Sequence, residues 1–204
     1  MITIIDHGLG NISSVYSAVK LFEKNVQVTN KYKDLKKTSK LILPGVGNFG
    51  FAMKNLATSN LIEALNEIAL VKKKPVLGIC LGCQLLLEKS DESPGIKGLG
   101  WIRGSNNILP LKNKLMPTPH IGWNEVKILK NHYIFNNIPK KFYLYFNHSF
   151  HPSVKQKYIF AKTIYSDIIN TVVIKENIIG VQPHPEKSQV QGIKIIKNFI
   201  KNAN

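Results

Sequence analysis

The chain has 204 residues, 44% of them hydrophobic, with two cysteines and a formal net charge of +16. This length suits a single domain over residues 1–204, and two cysteines exclude a disulfide framework. With no apolar run of eighteen residues and no basic leader, neither a membrane span nor an export signal is expected, and a cytoplasmic setting is.

The first half alternates short apolar runs with helical patterns. Strands are predicted at Ile2–Ile5, Val26–Val28, Leu41–Leu43 and Pro75–Ile79. Helices are predicted at Ser13–Glu23, Phe49–Leu56, Leu61–Leu70 and Leu81–Glu88. Ser90–Leu115 is rich in Gly, Ser and Asn and reads as loops. Strands then dominate at Glu125–Leu129, Phe142–Phe146, Tyr158–Ile164, Thr171–Ile174 and Ile178–Gln182, before a helix at Gln189–Lys201. Such an order predicts an α/β fold: a mixed, mostly parallel sheet flanked by helices, with antiparallel strands added in the second half.

The positive charge raises nucleic acid as a partner, but the lysines are scattered and Arg103 is the sole arginine. Phosphate forks and base readout favour arginine. The charge is therefore read as a solvated surface, with no nucleic acid and no membrane partner.

Both cysteines lie in GICLGCQ, residues 78–84. A C-x-x-C can be a redox couple, half a zinc site, or one working thiol beside a bystander. Zinc lacks further cysteines, and no metal is expected. The redox reading stays possible but does not use Gly78 and Gly82. Those glycines flank Cys80 in G-x-C-x-G, the thiol form of a nucleophile elbow between strand and helix. There the helix N-terminus would favour a thiolate, and the Leu81 N–H could bind an oxyanion. Cys83 reads as a small buried helix residue. A base and its orienting partner are available in GVQPHPEKS, residues 180–188. With Pro183 and Pro185 holding the backbone extended, His184 and Glu186 would face the same way.

These segments, GICLGCQLLLE and HPEKS, resemble the class I (triad) glutamine amidotransferases. Within that family the chain is similar to the glutaminase subunits of imidazole glycerol phosphate synthases. IIDHGLGN, LPGVG, DESPGIKGLGWI, PHIGWNEV and YFNHSF carry the likeness nearly end to end. The resemblance implies a catalytic triad of Cys80, His184 and Glu186 acting on L-glutamine. It implies an oxyanion hole from Gly45, Val46, Gly47 and Leu81, and a glutamine pocket with Gln84, Glu88, His148, Ser149 and Phe150. It also implies no cofactor, and a heterodimer whose other member is a (βα)8-barrel synthase. Asn11, His120, Gly122, Trp123 and Asn124 would lie near that interface, through which ammonia passes to make imidazole glycerol phosphate and an aminoimidazole carboxamide ribonucleotide in histidine synthesis.

The chain departs from the family pattern at Cys83 (usually Met), Pro183 (usually Phe) and Asn147 (commonly Val). Pro183 precedes the base and is expected to bear on where His184 sits. The alternative assignment is a paralogous glutaminase subunit supplying ammonia for an amidino sugar in surface-polysaccharide synthesis.

Overall fold

The computed structural model describes residues 1–112 and 115–203. In chain order its elements are β1 (Ile2–Ile5), α1 (Ile12–Lys20), β2 (Val26–Thr29), β3 (Lys40–Leu43), α2 (Phe49–Thr58), α3 (Leu61–Asn66), β4 (Val76–Ile79) and α4 (Leu81–Leu85). There follow β5 (Lys89–Ser90), β6 (Gly104–Ile108), β7 (His120–Ile128), β8 (Lys141–His148), β9 (Phe150–Val154), β10 (Ile159–Tyr165), β11 (Asp167–Lys175), β12 (Ile178–Val181) and α5 (Gln189–Asn202).

Strand β1 shows why the sheet is covered on both faces. Ile2 and Ile4 pack with Val15 and Val19 of α1 and Ile196 and Phe199 of α5. Ile5 packs on the opposite face with α2, α3 and α4. A strand apolar on both sides has to be sandwiched in this way. The main sheet runs β2-β1-β3-β4-β12-β11-β10-β7-β8. It is parallel from β2 to β12 and antiparallel from β12 to β8, as the predicted fold class requires. Strands β5, β6 and β9 form a second small sheet.

Several predicted boundaries shift for local reasons. The helix after Cys80 stops at Leu85, not Glu88. The carbonyls of Leu85, Leu86, Leu87 and Glu88 accept instead from the N–H groups of Leu99, Ile102, Gly100 and Gly98. The helix predicted over 61–70 gives way after Asn66 to a wide π-type turn, Glu67–Val71, closed by Lys72 N–H on Glu67 O at 2.8 Å. The predicted loop over 90–115 contains β6, whose polar sequence hides a strand paired along β9; residues 113 and 114 lie outside the described residues. Strand β9 itself carries Pro152, which a strand tolerates at an edge. Strand β7 starts at His120 instead of Glu125.

The elbow is packed backbone to backbone. A Cβ on Gly82 would lie 1.7 Å from Leu43 O, and one on Gly78 would lie 2.6 Å from Gly82 O. Gly82→Ala is therefore expected to destabilise the fold by about 3 kcal/mol or more, because neither backbone can withdraw without moving β3 or α4. Denaturant unfolding beside the unsubstituted chain checks this. A Gly82→Ala midpoint equal to that of the unsubstituted chain would refute the close approach.

Candidate active site

Strand β4 ends at Ile79 and α4 begins at Leu81, so Cys80 forms the corner. Its φ of 51° and ψ of −107° lie in a region that side chains avoid, at a cost of about 1–3 kcal/mol. The corner is pinned by Cys80 N–H to Val181 O at 2.8 Å and by Gln84 N–H to Cys80 O at 3.1 Å. The elbow geometry is thus present. The five-residue helix α4 is too short to supply much of the dipole expected at its N-terminus. Cys83 is fully buried, and burial pushes its thiol pKa up. It touches the position a Gly180 side chain would occupy, which makes it a packing residue.

The candidate base arrives from the neighbouring strand. Beyond β12, His184 N–H donates to Tyr145 O at 2.8 Å. Its Nδ1–H donates to Glu186 Oε1 at 2.8 Å, with both side chains only 2% exposed. The backbone is not extended as predicted: Pro185–Lys187 forms a 3-10 turn, and this turn brings the carboxylate back onto the ring. Pro183 leaves the pair intact. Burial disfavours the charged imidazole, but Cys80 and then Glu186 outweigh it and raise the His184 pKa to about 10. Its Nε2 is buried without a hydrogen-bond partner among the described residues, a ring nitrogen held ready for a reacting group.

A cavity of about 270 Å³ opens onto the sulfur, lined by Val46, Gly47, Leu81, Gln84, Asn147, His148, Ser149 and Phe150, together with Pro119 and Glu92. Most of the residues proposed for an oxyanion hole and a glutamine pocket thus meet in one place. Glu88 does not. The chain turns away after Leu85, leaving Glu88 exposed and accepting from Gly104 N–H at 2.9 Å. The acidic group at the cavity is Glu92, which sequence reasoning missed. Its Oε2 accepts from Phe49 N–H at 2.7 Å at the start of α2. The Leu81 N–H is not free, because it donates to Gly45 O at 3.2 Å. A larger hollow of about 710 Å³ near His132 and Tyr133 has none of this chemistry.

The residues expected at an interface divide. Trp123 is 46% exposed, beside an exposed Ile121 on β7. His120 is buried, its ring stacked between Phe146 and Tyr165 at centroid distances of 4.5 and 3.9 Å. It faces inward because β7 alternates, and Trp123 takes the outward side. Gly122 and Asn124 are half-buried. Asn11 caps α1, accepting from Ser14 N–H at 3.4 Å.

Residues 3–203 match the family described as Glutamine amidotransferase class-I. The chain belongs to that family. As a class-I amidotransferase it is 46% identical over 200 residues to the imidazole glycerol phosphate synthase subunit HisH of Methanocaldococcus jannaschii, covering 98% of each chain. It is 43% identical to the subunit named HisH 1 of Campylobacter jejuni, covering 98% of this chain and all of that one. A solved glutamine amidotransferase superposes with a TM-score of 0.77 at 13% identity, covering 98% of both chains. The solved PurLQS of Thermotoga maritima superposes at 0.69 with 17% identity, covering 98% of this chain and 96% of that one. At those identities the solved structures establish the amidotransferase fold, and the relatives carry the family. No described helix is long and apolar enough to cross a membrane.

Proposed function

We infer that this chain is the glutaminase subunit of an imidazole glycerol phosphate synthase, working in the cytoplasm with a (βα)8-barrel synthase subunit in histidine synthesis. One observation carries the catalytic part: a buried His184–Glu186 pair converges on a strained Cys80 at the mouth of a cavity. The pathway is supported by full-length relatives that bear the synthase name, which do not favour the amidino-sugar alternative.

Glutamine enters with its side-chain amide toward Cys80 and its α-ammonium toward Glu92. The sulfur attacks the amide carbon, and a charged His184 stabilises the attacking thiolate. His184 gives its proton to the leaving nitrogen, and the C–N bond breaks to release ammonia and leave a glutamyl thioester. The ring then takes a proton from water, whose oxygen attacks the thioester and frees glutamate. Glu186 keeps Nδ1 protonated, so that Nε2 is always the atom that exchanges protons. The oxyanion requires the Leu81 N–H to exchange Gly45 O for the developing charge. Trp123 and Ile121 provide an exposed apolar face suited to the partner.

The test is glutamate release with and without the barrel synthase subunit of the same organism, followed by imidazole glycerol phosphate formation. Turnover that rises on adding the barrel, with product formed, is expected. Glutamate formed equally in both mixtures with no imidazole product would reject the pathway while leaving the glutaminase. No glutamate in either mixture would reject both.

A further inference from the structure

Beyond the triad, a run of hydrogen bonds that passes through the main-chain carbonyl of Phe150 ends on the Cys80 sulfur. Its direction follows from one fixed group. The Phe150 carbonyl can only accept, and it does so from His148 Nδ1 at 2.8 Å and from Gln84 Nε2 at 3.1 Å. The Gln84 amide therefore has its nitrogen on this side. That same nitrogen reaches Gln182 Oε1 at 3.3 Å. The Gln182 amide is consequently oriented too, and its Nε2 faces Cys80 Sγ at 3.8 Å. Gln182 is fully buried, so no water competes for its amide hydrogens.

The other direction is equally determined. Because His148 Nδ1 carries its proton, its Nε2 accepts from His120 Nδ1 at 3.1 Å if both rings are neutral. His120 Nε2 then accepts from Asn124 Nδ2 at 3.2 Å. Both rings are held neutral: burial lowers the His148 pKa to about 3 and that of His120 to about 4. Every donor in the run meets an acceptor, so flipping the Gln182 amide would set two acceptors or two donors against each other.

We propose that Gln182 is a further catalytic residue, a fixed amide donor that stabilises negative charge on the Cys80 sulfur, with Gln84, itself oriented by the Phe150 carbonyl, as the positioning residue that sets its polarity. The neutral thiol has a different contact, donating to Asn147 O at 3.8 Å. On losing its proton, the sulfur can only accept, and Gln182 is the side-chain amide already aimed at it. This rests on the reading of Cys80 as a nucleophile but not on the identity of the substrate.

Alkylation of Cys80 by iodoacetamide across pH tests the proposal without glutamine. It is read in the Cys83→Ala background, so that one thiol remains. Gln182→Met keeps the length and removes the donor, and its alkylation–pH profile is expected to move up by about one pH unit, with a roughly tenfold slower rate at neutral pH. Gln182→Glu, which replaces the donor with a negative charge, should move it further. In glutamine hydrolysis, Gln182→Met should lower kcat about tenfold with little change in KM. An alkylation profile that matches the parent in a variant with normal melting would overturn the proposal. If neither Gln182 variant folds, Gln84→Met is read by the same assay: an upward shift supports the relay, and an unchanged profile overturns it. Failure of glutamine hydrolysis in the parent protein, with the alkylation shifts intact, would indict the glutaminase reading alone.

Discussion

Cys80→Ala is expected to abolish glutamine hydrolysis, by roughly 10⁴-fold or more in kcat, while Cys83→Ala keeps most of the activity. The two thiols sit three residues apart in sequence but in different worlds. Cys80 occupies the strained corner and opens onto the cavity. Cys83 points into the layer between the helices and β12, fully enclosed, where burial keeps its proton on. Losing the Cys83 sulfur should cost about 1 kcal/mol of stability through the small void left beside Gly180. A further variant separates strain from chemistry. Cys80→Gly, equally inactive, should melt no lower than Cys80→Ala, because glycine accepts a φ of 51° without penalty. Glutamate release and thermal melting of the three variants provide the check. Equal loss of activity in Cys80→Ala and Cys83→Ala would restore a paired-thiol function.

Glu186→Gln should lower kcat by about 10²–10⁴-fold and bring the alkaline limit of activity to lower pH. Burial opposes charge on His184, and Cys80 and Glu186 together hold its pKa near 10 against that opposition. Removing the carboxylate leaves burial less opposed, so the ring gives up its proton earlier. The same shift governs stability. A histidine whose folded pKa is raised above its unfolded value stabilises the fold fully below about pH 6.5 and loses that contribution as pH rises toward about 10. The wild-type advantage over Glu186→Gln should therefore be largest in mildly acidic buffer and shrink in alkaline buffer. Denaturant unfolding at pH 6 and pH 10 measures it. A difference that grows with pH would overturn this assignment of charge.

What is legible in the sequence is whatever depends on local pattern. Ile2–Ile5 and Pro75–Ile79 announce buried strands because both faces must be apolar, and G-x-C-x-G announces the elbow because only glycines permit its backbone contacts. The pairing of His184 with Glu186 is legible from their spacing, although the structure achieves it through a turn and not an extended chain. Glu88 is misplaced by a pattern that continues the helix, where in the fold the 98–102 segment takes over the carbonyls of 85–88. Glu92 and Gln182 escape the sequence for a different reason. Each acquires its place only through residues distant in the chain, Phe49 for one and Gln84 and Cys80 for the other. His120 reads as a surface residue in a motif and proves internal once the alternation along β7 is known.

Strands β4 and β12 pair in parallel with Ile79 opposite Val181. Cys80 follows directly from the end of one, and His184 stands three residues past the end of the other. Their separation is consequently set largely by a single interstrand spacing, a sheet serving as ruler, with Tyr145 O on His184 and Gln182 on the sulfur as contributions from the roughly one hundred residues between them. Insertions and deletions in the loops of that intervening segment can accumulate without retuning the proton transfer, so long as they leave the cavity wall in place. The same segment carries the exposed face of β7, so partner-binding surfaces can diversify on this fold while the cysteine and histidine keep their distance.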